Sequence, residues 1–204
     1  MWYLYTILLV IFIALLTKAY IKVRDPFWYS QPVHHIYDVF SRFRNNTVIN
    51  INPPTANKYV NIINVKTTRV ADMDEVDVAK ACDFITNNFL REKDYIEYKP
   101  TQDNIVGYLN ASNHPSYINV YKIPSVRYDT ESKKYVDEDE YCSVMTARPL
   151  VVALDSGDPF SSYYVDHLCV KPEMRGKGIA AKSIQTFYHN VSRDYSKINT
   201  YIFK

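Results

Sequence analysis

Hydrophobic and polar positions follow three rhythms along this chain, and each predicts a different kind of element. The first is an unbroken run. Trp2 to Leu16 is apolar apart from Thr6, and no charge occurs before Lys18. A bilayer span needs ~20 residues of helix. Continuing through Thr17, Ala19, Tyr20 and Ile21 reaches that length, with the Lys18 ammonium drawn back to the interface. Trp2, Tyr3 and Tyr5 at one end and Tyr20 at the other fit interfacial aromatic belts. A cleaved signal peptide fits less well, since no basic stretch precedes the run and no small-x-small site follows it. A buried amphipathic helix would show a polar face, and none is visible. Lys18, Lys22 and Arg24 all follow the run, so the positive-inside rule predicts a single-pass anchor in membrane lipid over residues 1–22, N-terminus outside and the rest of the chain cytosolic.

The second rhythm is the alternation of half-buried strands. It predicts strands over Asn61–Val70, Tyr117–Ile123 and Tyr141–Leu154, where Pro149 marks a bulge or a break into two. A buried strand follows over Tyr163–Val170, and a last one over Ile198–Phe203. The third rhythm is helical. Val78, Ala81, Cys82, Ile85 and Phe89 form one apolar stripe, ending near Arg91. Asp72, with Glu75 three residues on, reads as its capping box. A shorter helix spans Thr101–Asn110, interrupted by Gly107, and Ile179, Ala180, Ile184, Phe187 and Tyr188 mark another. Thr130–Glu140 reads as a charged loop and Asp155–Ser161 as a turn, while residues 36–57 give no pattern.

Composition narrows the function classes. The 204 residues suffice for one domain of moderate size. With 24 basic and 22 acidic residues the net charge is +2, which gives no electrostatic case for nucleic acid. Cys82, Cys142 and Cys169 are scattered and odd in number, without metal-ligand spacing, as expected in a reducing compartment. Cys169 sits in an apolar strand, where packing explains it better than nucleophilic chemistry. His34 and His35 lack partner ligands at useful spacing and read as a solvated pair, so no metal is expected.

The candidate chemistry lies between the Tyr163–Val170 strand and the helix opening at Ile179. Gly176 and Gly178 are half of the chain's four glycines. A strand feeding a helix through a tight loop leaves the first helical N–H groups unpaired, with the positive end of the helix dipole behind them. Glycines let that backbone approach an anion closely, and Arg175 and Lys177 add cationic side chains. An ordinary turn with solvated charges has the same residues. Neither G-x-G-x-x-G nor G-K-[ST] is present, so this is neither a dinucleotide fingerprint nor a P-loop.

Arg175-Gly176-Lys177-Gly178-Ile179-Ala180 resembles the R-x-x-G-x-G/A signature of the GNAT superfamily of N-acyltransferases. The resemblance implies an α/β fold with a mixed sheet over residues 59–204, in which this loop holds the pyrophosphate of acyl-CoA. Phe27-Trp28-x-x-Gln31-Pro32-Val33, in the linker over residues 23–58, is similar to the F-W-x-T-Q-P-V stretch of N-myristoyltransferases, which lies against the acyl-CoA. Ser30 stands for the usual threonine, and Asp25-Pro26 for the usual tyrosine and lysine. Asp166-His167-Leu168-Cys169-Val170 is similar to their strand ending in x-F-L-C-V, with His167 in place of phenylalanine. By that resemblance the backbone N–H groups of His167 and Leu168 form the oxyanion hole, and Leu168, Cys169, Val170, Arg175, Gly176, Lys177, Gly178, Ile179 and Ala180 contact the cofactor with Phe27 and Trp28.

N-myristoyltransferases take their base from the carboxyl terminus of a second, duplicated half, which also builds most of the peptide site. The present sequence ends at Lys204, where the first half would end, so Asp166 and His167 are the nearest candidates for acid–base work. Asp166 could equally be a capped or salt-bridged strand residue. Three functions are therefore in play. One is a membrane-anchored N-acyltransferase using myristoyl-CoA on a protein or peptide amine, such as an N-terminal glycine. The second is a GNAT acetyltransferase using acetyl-CoA on a small amine. The third is a degenerate acyl-CoA-binding module.

Overall fold

The computed structural model describes residues 2–33, 52–89, 99–129, 133–155 and 158–203. His34 and His35 lie outside them. The chain divides into two compact units, Met1–Asn52 and Pro53–Lys204.

In the first unit, α1 (Trp2–Arg24) is the apolar run, and it is long and apolar enough to cross a membrane. At 1.5 Å per residue its 23 residues reach about 34 Å, more than the ~30 Å hydrocarbon thickness. Its two threonines hide their hydroxyls by bonding carbonyls one turn back, Thr6 to Tyr3 O and Thr17 to Ile13 O, both at 2.9 Å. Lys22 and Arg24 occupy the last turn, where the helix dipole favours cations. The one-turn helix α2 (Pro26–Tyr29) follows, with proline at its first position.

The second unit is a five-stranded sheet in the order β1-β2-β3-β4-β5: β1 (Val65–Arg69), β2 (Tyr117–Asp129), β3 (Lys134–Val152), β4 (Phe160–Val170) and β5 (Tyr201–Phe203). The first four pair antiparallel and β5 runs parallel to β4, so the sheet is mixed, as expected. Three further helices, α3 (Glu75–Asn88), α4 (Gln102–Asn110) and α5 (Ile179–Asp194), cover it. One face buries Val78, Ala81, Cys82 and Ile85 of α3 and Ile105 and Leu109 of α4 against Ile118, Val120, Val144 and Cys169. On the other, Phe187 of α5 packs edge-on to Tyr117 and Tyr201, and Ile179 closes on Val65, Tyr121 and Cys142. Arg69 of β1 clips the far end of α5 through a bidentate pair with Asp194 (2.8 and 3.0 Å), and the Tyr117 hydroxyl donates to the same carboxylate at 2.6 Å.

Several predicted boundaries move, each for a local reason. The strand expected from Asn61 starts at Val65, because Asn61 builds a turn: its side-chain oxygen accepts from Asn64 N at 3.1 Å and its carbonyl from Val65 N. Val70–Asp72 is a 3-10 turn, so α3 is capped at Asp74, not Asp72, and without a side-chain cap bond. The capping box belongs instead to α4, where Thr101 and Asn104 exchange bonds, and Gly107 does not interrupt that helix. Residues 134–140, read as part of a loop, are strand: β2 and β3 continue as a hairpin held by the Tyr128–Tyr135 ring pair at 5.2 Å and Glu138 beside Lys80 and Arg127. Pro149 breaks nothing, because β2 pairing ends at Tyr117–Ala147 and no ladder bond on that side is lost.

Candidate functional site

β4 carries the first half of the site. Its register with β3 passes from Val144–Cys169 to Thr146–Asp166, so His167 and Leu168 together face Met145 alone. This is a β-bulge, and His167 takes a left-handed backbone, φ +52°. Such a conformation is uncommon for any residue with a Cβ, and it costs about 1–2 kcal/mol. Two bonds hold it. The Asp166 carboxylate accepts from the His167 backbone N–H at 2.8 Å, and the Thr146 hydroxyl meets His167 Nδ1 at 2.8 Å. The imidazole is buried, 3% exposed, edge-on to Phe89 at 5.1 Å and to Tyr108 at 6.3 Å.

The tautomer follows from hydrogen-bond capacity. The single Thr146 hydroxyl proton is directed at Asp166 O, 3.2 Å away. With that proton on Asp166 O, Thr146 Oγ1 accepts from His167 Nδ1, the arrangement in which Nε2 carries the lone pair whenever the ring is neutral.

β5 pairs with β4 over Tyr163–Val165, and no described residue continues that pairing alongside residues 166–170.

Five residues beyond Val170 the second half begins. After a 3-10 turn at Pro172–Met174, Gly176 (φ +76°) and Gly178 (φ +73°) both adopt left-handed backbone, and Gly178 is the N-cap of α5. A Cβ built on either glycine meets nothing within 4 Å. The conformation demands glycine here, and the ground before the loop is open. No acidic residue lies in the first turn of α5, so the dipole's positive end is uncompensated. The loop's charges split into two kinds. Lys171 is engaged by Glu140 and Glu173, which hold its ammonium charged well above the ordinary range. Arg175 bonds only the Val170 carbonyl (Nε, 3.1 Å), and Lys177 lies 3.4 Å from Met174 Sδ. Neither meets a carboxylate among the described residues.

The structure thus places Asp166, His167, Leu168, Cys169 and Val170 on the bulged end of β4, and Arg175, Gly176, Lys177, Gly178, Ile179 and Ala180 on the loop and helix start that follow. Phe27 and Trp28 are on α2 of the first unit. Cys169 packs in the core beneath α3 and α4, its thiol pushed up to about 12 by burial and donating to Val144 O, which makes it a poor nucleophile at neutral pH. Cys82 is likewise pushed up to about 11 by burial. Among the described residues no cluster of three or more His, Cys, Asp or Glu could hold a metal. A cleft of about 730 Å³ lies between α3 and the β2–β3 hairpin, lined by residues such as Lys80, Asp83, Arg127 and Glu138. No residue from 166 to 180 lines it, so it holds none of the chemistry above. Sequence reading missed Thr146, Phe89 and Tyr108 as neighbours of His167. They lie on other elements, and only the pairing of β3 with β4 brings Thr146 across.

No family model and no curated protein sequence compared with the chain matches it. Solved structures do. Saccharomyces cerevisiae N-myristoyltransferase with bound myristoyl-CoA superposes with a TM-score of 0.56 at 15% identity, covering 88% of this chain and 40% of that one. A second structure of the yeast enzyme, with myristoyl-CoA and inhibitors, gives 0.53 at 15% identity over 93% and 41%. A predicted acetyltransferase of Clostridium acetobutylicum with acetyl-CoA gives 0.46 at 10% identity over 69% and 80%. Over the superposed residues the fold is that of N-myristoyltransferase. The chain spans about 40% of the length of the N-myristoyltransferase it matches.

Proposed function

We propose that this GNAT-fold chain is an acyl-CoA-dependent N-acyltransferase, similar in kind to N-myristoyltransferase and anchored through α1 with its enzyme domain in the cytosol. One observation carries the reading. Within some fifteen residues of continuous chain, a β-bulge near the end of β4 leads into an uncompensated helix N-terminus behind two left-handed glycines. That arrangement suits a ligand with an extended, amide-bearing arm and a diphosphate. The arm lies along residues 166–170. The diphosphate meets the loop amides, with Arg175 and Lys177 beside it.

In the reaction the acceptor nitrogen attacks the thioester carbonyl, the C–S bond breaks, and CoA leaves as the thiol after taking up a proton. The Leu168 backbone N–H stabilises the carbonyl oxygen as it gains charge. His167 N–H can join it by releasing the Asp166 carboxylate. His167 Nε2 removes the amine proton, and Thr146 fixes the ring for that task from the Nδ1 side. Asp166, bonded to the bulge amide, is a positioning residue.

The bond between Asp166 and the His167 amide also favours a second reading, a module that binds acyl-CoA without turning it over. Titration of the full chain in detergent with myristoyl-CoA and acetyl-CoA, followed by single-turnover assay of CoA thiol release with glycyl peptides, decides among these. Tight myristoyl-CoA binding with acyl transfer is expected. Preference for acetyl-CoA points to the small-amine acetyltransferase, binding without transfer to the module, and no CoA binding overturns the proposal. Arg175→Glu, which sets an anion beside the diphosphate, is expected to abolish saturable CoA binding.

A further inference from the structure

Arg148 interrupts the apolar end of β3, in the run Val144-Met145-Thr146-Ala147-Arg148-Pro149-Leu150. It stands directly across from Tyr164 of β4, two residues along from Thr146, or about 7 Å of strand. Its guanidinium carbon lies 4.2 Å from the centre of the Tyr108 ring on α4 and 5.5 Å from that of Tyr164. Tyr108 is also one of the two rings against His167. One aromatic side chain therefore borders both the bulge imidazole and the arginine.

Arg148 is the described arginine with neither a hydrogen bond nor an ion pair. Arg24, Arg69 and Arg127 each meet a carboxylate, and Arg175 and Arg193 bond carbonyl oxygens. The Arg148 Nε is buried without any partner. Neither the Tyr108 nor the Tyr164 hydroxyl hydrogen-bonds a described residue. A guanidinium stays charged in any such setting. Two aromatic rings lie against it, but no described residue takes its hydrogen-bond donors.

We infer that Arg148, held between Tyr108 and Tyr164, is an anion subsite of the acceptor, so that the amine acylated at the His167 bulge carries a carboxylate or phosphate a short reach from its nucleophilic nitrogen. The inference rests on the acyltransferase reading for the identity of the amine, while the anion site itself rests on Arg148 alone. The planar guanidinium presents donors in the fork that matches either group, and the phenol hydroxyls can add to it. The proton and leaving-group balance of the transfer is unchanged, since the anion only orients the acceptor.

The test uses the full chain in detergent, saturated with CoA so that the loop cannot take up the probe. Binding of the dipeptide amides Gly-Asp and Gly-Asn is measured by calorimetry, with phosphoethanolamine and ethanolamine as the phosphate arm. Wild type is expected to bind an acidic member of these pairs at least tenfold more tightly than its neutral partner, and the pair that shows it identifies carboxylate or phosphate. Arg148→Gln is expected to lose the preference with CoA affinity unchanged, and Arg148→Lys, which keeps the charge, to retain part of it. Should the glutamine variant not fold, wild type and the lysine variant decide. Equal affinity within each pair in wild type, or a preference that survives Arg148→Gln, overturns the inference. The same titrations without CoA separate the two proposals. Failure to bind CoA sinks the acyltransferase reading, whereas the anion preference stands or falls by itself.

Discussion

Gly178→Val probes the loop with a magnitude that can be worked from the backbone. The residue sits at φ +73° as the N-cap of α5. Left-handed backbone costs an L-residue about 1–2 kcal/mol, and a β-branched one fares worse than most. No steric clash adds to this, since a Cβ at the position meets nothing within 4 Å. A domain of this size loses about 2–4 °C per kcal/mol, so the expected fall in Tm is about 2–8 °C and the variant stays folded. The loss in affinity is larger. Valine projects into the space in front of the loop amides and removes at least one N–H···phosphate bond. Bonds to charged groups contribute about 1.5–3 kcal/mol, or roughly 10- to 150-fold in Kd. Scanning calorimetry gives the first number and a CoA titration the second. A variant that shows the expected Tm loss but binds CoA within twofold of wild type would refute the phosphate role of these amides, because the strain would be present without the consequence.

Three further outcomes are expected. His167→Asn keeps a residue that tolerates left-handed backbone but removes Nε2. CoA binding should persist while single-turnover transfer falls at least a hundredfold, and undiminished transfer would remove His167 as the base. Gly107 lies exposed inside α4 with open space around it, so Gly107→Ala should raise stability by about 0.5–1 kcal/mol, read as a higher urea midpoint; no change or a loss refutes this. Arg69, and next Tyr117, hold the Asp194 carboxyl below its ordinary range. A depressed carboxyl contributes stability above the unfolded-state pKa of about 3.9 and loses it as the pH falls through the folded value. Asp194→Asn should therefore flatten the acid limb of a urea-midpoint profile below about pH 4 and leave a uniformly lower plateau at neutral pH. An acid limb as steep as wild type would count against the clip.

What could be read from the chain was what short-range chemistry decides. The apolar run of α1 and the glycine loop before α5 declare themselves within a few residues, and both stand where expected. The bulge did not, because nothing within Tyr163–Val170 marks His167 for left-handed backbone. It arises from the mismatch with β3, twenty residues away, and from the Asp166 and Thr146 bonds that this register permits. Residues 134–140 looked like loop because charge dominates them, yet a hairpin exposed on both faces can carry charge and still pair. Arg148 was not singled out from the sequence, because its setting between Tyr164 and Tyr108 comes from β3, β4 and α4 together.

The Arg69–Asp194 clip has a bearing on how α5 responds to a ligand. The helix is held at its C-terminal end by that pair and at its start by the buried Ile179, so tilting or sliding it toward a group at residues 176–178 would break one contact or the other. Adjustment to a ligand would then fall on the strand side, at the bond between Asp166 and its neighbour's amide. Slow amide exchange along the whole of α5, with ligand-dependent protection confined to residues 166–170, is the pattern that a fixed helix and a yielding strand edge would leave.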